Sequence, residues 1–212
     1  MEAAAPRARL INHLRREIED ERVLRAMEQV PRELFVPEAS RHLAYEDKPL
    51  PIGEGQTISQ PFIIALMTQS LQLVGTEKVL EVGTGSGYQA AILARLAHKV
   101  VTVERIPTLA ESAQRLLERL GYTNVEVHVA GKTLGWPDDV PYDAIIVTAG
   151  APSVPQALVD QLDQGGRLII PVGSRWDQEL LLVTKQKDKV ARKYLVPCRF
   201  VPLIGEEAWS EE

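Results

Sequence analysis

The sequence predicts an α/β fold: a doubly wound, mostly parallel sheet with an antiparallel C-terminal edge and a helical cap at the N-terminus. Three observations predict it. From Pro61 onward, short β-branched runs alternate with stretches of helical periodicity, the pattern of a parallel sheet covered on both faces. A glycine-rich turn joins the first of these runs to the helix after it. The last two strand-like runs have no helical stretch between them, which points to an antiparallel edge.

The elements follow in order. Between Arg7 and Gln29 the apolar residues Leu10, Leu14 and Ile18, then Val23, Leu24 and Met27, recur at helical spacing, and Asp20 is placed to cap the second piece. Pro31 and Pro37 break that pattern, and the stretch to Gln56, with Pro49, Pro51 and Gly53, reads as an irregular loop. Pro61 to Val74 reads as a helix with proline in its first turn. The runs 78–82 (KVLEV) and 99–103 (KVVTV) are strands, with a helix from Ser86 to Ala97 between them. Leu109, Ala113, Leu116, Leu117 and Leu120 form a helical stripe that Gly121 ends. Val125, Val127 and Val129 alternate as a third strand, and 144–148 is a fourth. A helix over Val154–Leu162, a strand over 167–172, and two late strands near 179–184 and 194–200 complete the chain. Residues 1–212 read as one domain, with 1–60 as cap and site loop and 61–212 as the core with a C-terminal rim.

Composition narrows the function classes. An apolar fraction of 45% and a charged fraction of 25% are those of an ordinary soluble globule. A net charge of −5 argues against broad nucleic-acid binding, which needs a basic surface to displace counterions. The single cysteine, Cys198, cannot form an internal disulfide and reads as a structural or surface residue in preference to a reactive thiol. His13, His42, His98 and His128 are scattered and no Cys/His cluster has zinc spacing, so no metal is expected. The N-terminal MEAAAPRARL lacks the apolar core of a signal peptide, and no apolar run approaches the roughly 20 residues that cross a bilayer. The expectation is a cytoplasmic protein, acting as a monomer without membrane or nucleic-acid partners.

The segment Glu81-Val-Gly-Thr-Gly-Ser-Gly-Tyr88 carries the most chemistry. Gly83, Gly85 and Gly87 allow close approach of backbone to a ligand, and Thr84 and Ser86 lie between them. In a dinucleotide site such a turn receives a pyrophosphate, but here Glu81 precedes the glycines, and a carboxylate beside the turn repels phosphate and suits a cation. Glu104 ends the next strand nineteen residues beyond Gly85, where a carboxylate can accept from both hydroxyls of a ribose. The combination resembles the S-adenosylmethionine site of the class I methyltransferases, whose core is a Rossmann-like sheet.

The resemblance narrows further. Val30-Pro-Arg-Glu-Leu-Phe-Val-Pro37, Pro51-Ile-Gly-Glu-Gly-Gln-Thr-Ile-Ser-Gln-Pro61, the runs 141–152 and 165–173, and Arg199-Phe-Val-Pro-Leu203 are similar, in order, to the signatures of the protein-L-isoaspartate O-methyltransferases. That resemblance implies transfer of a methyl group from S-adenosylmethionine to the free α-carboxylate of L-isoaspartyl residues in damaged proteins and peptides. The ester then collapses to a succinimide, whose hydrolysis returns some normal aspartate. It further implies that the hydroxyl of Ser59 contacts the substrate carboxylate, that Thr57, Ile58 and Gln60 shape the same pocket, and that Arg199 and Val201 belong to a rim holding the peptide extended. On the residues alone, Ser59 can instead cap the helix that begins at Pro61, and Arg199 can be a solvated charge. The remaining alternatives are a methyltransferase acting on a small molecule or RNA, and a non-catalytic peptide-binding relative.

One stretch departs from the family pattern. Where the family usually has Gly-Asp-Gly after the third strand, its aspartate accepting from the adenine amino group, this chain has Ala130-Gly-Lys132. The position of the missing carboxylate is Gly131; losing one such hydrogen bond costs about 1–2 kcal/mol. A backbone carbonyl or water can substitute as acceptor; Trp136 is expected still to pack near the base, and Lys132 to face solvent.

Overall fold

A computed structural model describes residues 4–187 and 189–211; residues 1–3, 188 and 212, the two ends of the expected domain among them, lie outside the description. Two helices open the chain, α1 (Ala4–Leu14) and α2 (Glu21–Gln29), and the Asp20 carboxylate accepts from the Arg22 amide at the start of α2 as the sequence suggested. The stretch expected to be irregular holds two short 3-10 segments, Arg32–Phe35 and Glu38–Leu43, and a hairpin of β1 (Leu50–Gly53) and β2 (Gln56–Ile58). This corrects the loop reading. Leu50 pairs with Ile58 and both are buried, while Gly53, Glu54 and Gly55 take positive φ in the turn.

The core then alternates as predicted: α3 (Pro61–Ser70), β3 (Lys78–Val82), α4 (Tyr88–Leu93), β4 (Lys99–Glu104), α5 (Pro107–Arg119), β5 (Val125–Val129), β6 (Tyr142–Val147), α6 (Gln156–Asp160), β7 (Leu162–Gly173), β8 (Gln178–Gln186) and β9 (Lys189–Cys198). The seven-stranded sheet has the order β5-β4-β3-β6-β7-β8-β9. Strands β5, β4, β3, β6 and β7 are parallel, β8 pairs antiparallel to β7, and β9 antiparallel to β8. Successive strand residues point to opposite faces, and in the central strands β3, β4 and β6 both faces are buried. Val79, Val100, Ala144 and Ile146 join α1, α2, α3 and α4 in one core, and Leu80, Val101, Ile145 and Val147 meet α6 in a second.

Several helices are shorter than their periodicity suggested. Gly87, at φ 85°, holds α4 back to Tyr88, and the His98 and Lys99 amides turn onto the Glu77 carbonyl to begin β4. After α3, the Glu77 carboxylate accepts from the amides of Val74, Gly75 and Thr76, closing the turn into β3. The order of strands reverses between β3 and β6, because β4 lies on one side of β3 and β6 on the other. In open α/β sheets the crevice above such a reversal, at the carboxyl ends of the strands, is where ligands bind.

Candidate active site

A cleft partly open to solvent lies at that point. Its floor is the turn after β3. Gly83, Gly85 and Gly87 all adopt positive φ, at 100°, 52° and 85°. The turn is tied to the two neighbouring strands. The Gly83 and Thr84 amides donate to the Val103 carbonyl at 2.8 and 3.2 Å, and the Thr148 hydroxyl donates to the Gly83 carbonyl at 2.6 Å. A Cβ at residue 83 would collide with that hydroxyl, so glycine is required there for space as well as conformation.

Two buried carboxylates underlie the turn. Glu104 accepts from the Gly85 amide at 2.9 Å and the Ile106 amide at 3.0 Å, one on each oxygen. Glu81 is fully buried, and one of its oxygens accepts from Thr102 at 2.6 Å; the Thr102 hydroxyl in turn receives that of Thr84 at 2.6 Å. The other oxygen, Oε1, has no partner although the residue lines the cleft. Burial pushes the Glu81 carboxyl up to about 8, with the charge of Glu104 adding to the rise and the Thr102 hydrogen bond opposing it. A cation brought to the unpartnered Oε1 would favour the ionised form of this otherwise proton-holding carboxyl, and the anchored Glu104 still has lone pairs for hydroxyl donors.

The opposite wall comes from the hairpin and the loop after it. Thr57, Ile58 and Ser59 line the cleft, and Ile52 of β1 reaches over Gly85, its Cδ1 3.3 Å from where a Cβ there would sit. Ser59 is not a helix cap: the residue at the N-cap position is Gln60, with no side-chain cap bond. Asp47 does that work from across the loop, its carboxylate accepting from the Phe62 amide at 2.8 Å and from Gln60 Nε2 at 3.1 Å. The third wall is residues 201–205, held to the sheet by Gly150, whose amide donates to the Val201 carbonyl and whose carbonyl accepts from the Leu203 amide, both at 2.8 Å.

Of the residues singled out from sequence, Ser59, Glu81, Gly83, Thr84, Gly85, Ser86, Glu104, Gly131, Thr57, Ile58 and Val201 meet at this cleft. Three lie off its walls. Gly87 packs against α5, where a Cβ would stand 3.3 Å from Ala113 and Leu117. Gln60 is held back by Asp47, and Arg199 stacks over the exposed Trp176 ring at 5.2 Å. Trp136 also departs from expectation: it stacks on His128 at 4.1 Å and its amide is held by Gln161, so it is turned away from the cleft. Lys132 is exposed at the cleft's edge. Sequence reasoning missed Thr102, Thr148 and Asp47, whose partners lie 21, 65 and 15 residues away. Arg105 and Leu134, also lining the cleft, were missed as well. Thr102 and Arg105 flank the strand end that Glu104 marks, the only local signal available.

Comparison with known proteins places these features. The family model described as Protein-L-isoaspartate(D-aspartate) O-methyltransferase (PCMT) matches residues 5–208. Protein-L-isoaspartate O-methyltransferase 1 of Syntrophobacter fumaroxidans is 58% identical over 195 residues, 92% of this chain and 91% of that one. The Roseiflexus protein-L-isoaspartate O-methyltransferase is 53% identical over 100% of this chain and 98% of its own. Among solved structures, a protein-L-isoaspartate O-methyltransferase superposes with a TM-score of 0.84 at 33% identity, covering 95% of this chain and 67% of that one. A Plasmodium falciparum chain described as a candidate of the same activity, determined with S-adenosyl-L-homocysteine, superposes with a TM-score of 0.76 at 27% identity, covering 91% and 95%.

The buried Glu81 gives a test needing no ligand. Its carboxyl holds a proton in the folded chain up to about pH 8, whereas in the unfolded chain it ionises near 4.5. Between those values the folded state binds more protons, so this group's contribution to stability is full below about pH 4.5 and is lost as pH rises toward 8. Denaturant titrations at pH 5, 6, 7 and 8 are expected to show that decline in the original protein and a flatter profile in Glu81→Gln. Identical slopes would contradict the assignment.

Proposed function

The chain belongs to the protein-L-isoaspartate O-methyltransferase family, and we propose that its cleft is where S-adenosylmethionine meets the free α-carboxylate of a damaged isoaspartyl residue. The enzyme methylates that carboxylate in proteins and peptides. One observation carries the reading: a glycine turn over paired buried carboxylates and the Ser59 loop face each other across one cleft. Relatives matched over nearly the whole chain favour it over a small-molecule or RNA methyltransferase and over a non-catalytic binder.

The cleft's residues suit the cofactor, because the unpartnered Glu81 Oε1 is an acceptor for its ammonium and Glu104 is an acceptor for ribose hydroxyls. Gly83, Thr84, Gly85 and Ser86 bring backbone close to it, and Gly131 lies where adenine would be received. The cofactor supplies an electrophilic methyl on a sulfonium. A substrate carboxylate with a pKa near 4 is ionised at neutral pH, so no general base is needed. What remains is alignment, which is worth several kcal/mol. Ser59 is suited to provide it, because a neutral hydroxyl that makes no hydrogen bond among the described residues can orient the carboxylate without over-stabilising it as a cation would. Thr57 and Ile58 shape the pocket beside it, with Gln60 steadying the loop through Asp47. Val201 presents backbone along the rim, and Arg199 with Trp176 extends that rim outward to hold an extended peptide.

In this reading residues 1–212 form one domain that acts as a cytoplasmic monomer, without nucleic acid or a membrane. The net charge of −5 supports the part concerning nucleic acid, and no helix among the described residues is long and apolar enough to cross a membrane.

Two measurements follow. Methyl incorporation into matched peptides, one aspartyl and one isoaspartyl, is expected to favour the isoaspartyl form at least about a hundredfold, roughly 2.7 kcal/mol. Equal rates, or none on either peptide, would overturn the substrate assignment. The second uses Gly131, where a Cβ meets nothing within 4 Å and φ lies outside the left-handed region, so aspartate is accommodated without strain. Gly131→Asp is expected to tighten S-adenosylhomocysteine by about 1 kcal/mol, roughly fivefold, in calorimetric titration. An unchanged affinity would mean that the adenine amino group already has another acceptor.

A further inference from the structure

Arg32 is the largest fully buried side chain, with no exposed surface. Its two hydrogen bonds go to backbone carbonyls rather than to a carboxylate: Nη2 donates to Ser59 at 2.9 Å and, at a longer 3.5 Å, to Lys48. Its Nε and Nη1 make no hydrogen bond of ordinary geometry, with Tyr88 and the more distant Asp47 the side chains that favour the cation. The guanidinium lies over the Tyr88 ring, 4.9 Å from the centroid, and the Phe35 ring packs on Tyr88 at 5.4 Å. A buried cation so incompletely satisfied is poor as a stabilising device, and an apolar side chain of similar length often serves the fold as well or better. Burial accordingly pushes the guanidinium below its usual range, against the opposing influence of Tyr88.

What the arginine reaches is informative. Tyr88 is the first residue of α4, directly after the glycine turn, and lines the cleft. Ser59 lies on the opposite wall, and Lys48 precedes the hairpin that leads to it. One rigid planar group therefore spans the cofactor wall and the substrate wall. We propose that Arg32 is a positioning residue: stacked on Tyr88, it holds the Ser59 carbonyl and so fixes the Ser59 hydroxyl at the cleft relative to the glycine turn. A lysine reaches one carbonyl but cannot stack as a plane, which is why the guanidinium matters. The inference rests on the substrate role of Ser59 given above.

The test compares Arg32→Met, Arg32→Lys and Ser59→Ala with the unchanged protein by thermal unfolding, S-adenosylhomocysteine binding, kinetics on an isoaspartyl peptide, and amide hydrogen exchange. Arg32→Met is expected to keep its Tm within a few degrees and its cofactor affinity within about twofold. Its kcat/KM should fall about tenfold or more, with amide exchange at residues 57–60 speeded about tenfold while β3 and β4 exchange as before. Arg32→Lys should recover part of both losses. Unchanged exchange at 57–60 in a folded Arg32→Met would overturn the proposal, as would faster exchange throughout β3 and β4 together with a fall in Tm, the signature of a structural role alone. If Arg32→Met does not fold, the 57–60 exchange in Arg32→Lys decides: severalfold faster supports the clamp, and rates equal to the unchanged protein overturn it. Full activity in Ser59→Ala would sink the substrate role of Ser59, a failure distinct from that of the clamp, which the exchange data read directly.

Discussion

The bond pair that organises the cleft is the one Glu104 makes to the amides of Gly85 and Ile106. A carboxylate taken out of water at the end of a buried strand is costly unless donors satisfy it, and here the donors belong to the turn that must be shaped. The same contacts therefore settle two things together. The chain leaving β3 is folded back through positive-φ glycines, and a carboxylate is fixed beneath the turn with lone pairs to spare. The amides of Gly83 and Thr84 on the β4 carbonyl of Val103, and the Thr148 hydroxyl on Gly83, complete the anchorage to the neighbouring strands. The order of strands reverses there, so nothing in the sheet crosses above the turn and a ligand can approach it.

The other wall has a different character. It is built from a short hairpin and the loop after it, elements with little intrinsic stability. Its shape is imposed by side chains reaching in from a distance. Asp47 caps α3 in place of Ser59, leaving that hydroxyl free, and Arg32 ties the loop to Tyr88. A generic cofactor floor and a specific substrate wall are thus held in register by a few polar contacts, and alignment is what this chemistry asks of the protein.

This division explains which parts could be read in the sequence. The alternation of β3, α4, β4, α5 and β5 rests on local apolar periodicity, and the glycine turn with Glu81 and Glu104 on local spacing, so both were legible. The limits of α4 were not, because Gly87 does not bind but makes room for Ala113 and Leu117 of α5. The β1–β2 hairpin was hidden by its brevity and its proline and glycine content, its register being set by the burial of Leu50 against Ile58. Trp136 lies close in sequence to the cleft-lining segment that follows β5, which suggested a place beside the adenine, yet its ring stacks on His128 of β5 instead. Arg32 stood within a recognisable motif but carried no role until Ser59, 27 residues on, was seen to depend on it.

If Glu104 both shapes this turn and receives the cofactor, losing its charge and one acceptor oxygen must weaken binding. Calorimetric titration of S-adenosylhomocysteine into Glu104→Gln, beside the unchanged protein and with thermal unfolding of both, measures that loss. An amide has one acceptor oxygen where the carboxylate has two, and carries no charge to strengthen hydrogen bonds from ribose hydroxyls. Affinity is expected to weaken about tenfold or more, roughly 1.4 kcal/mol, in a protein that still folds. Undiminished affinity would contradict the dual role of Glu104 and place the cofactor elsewhere.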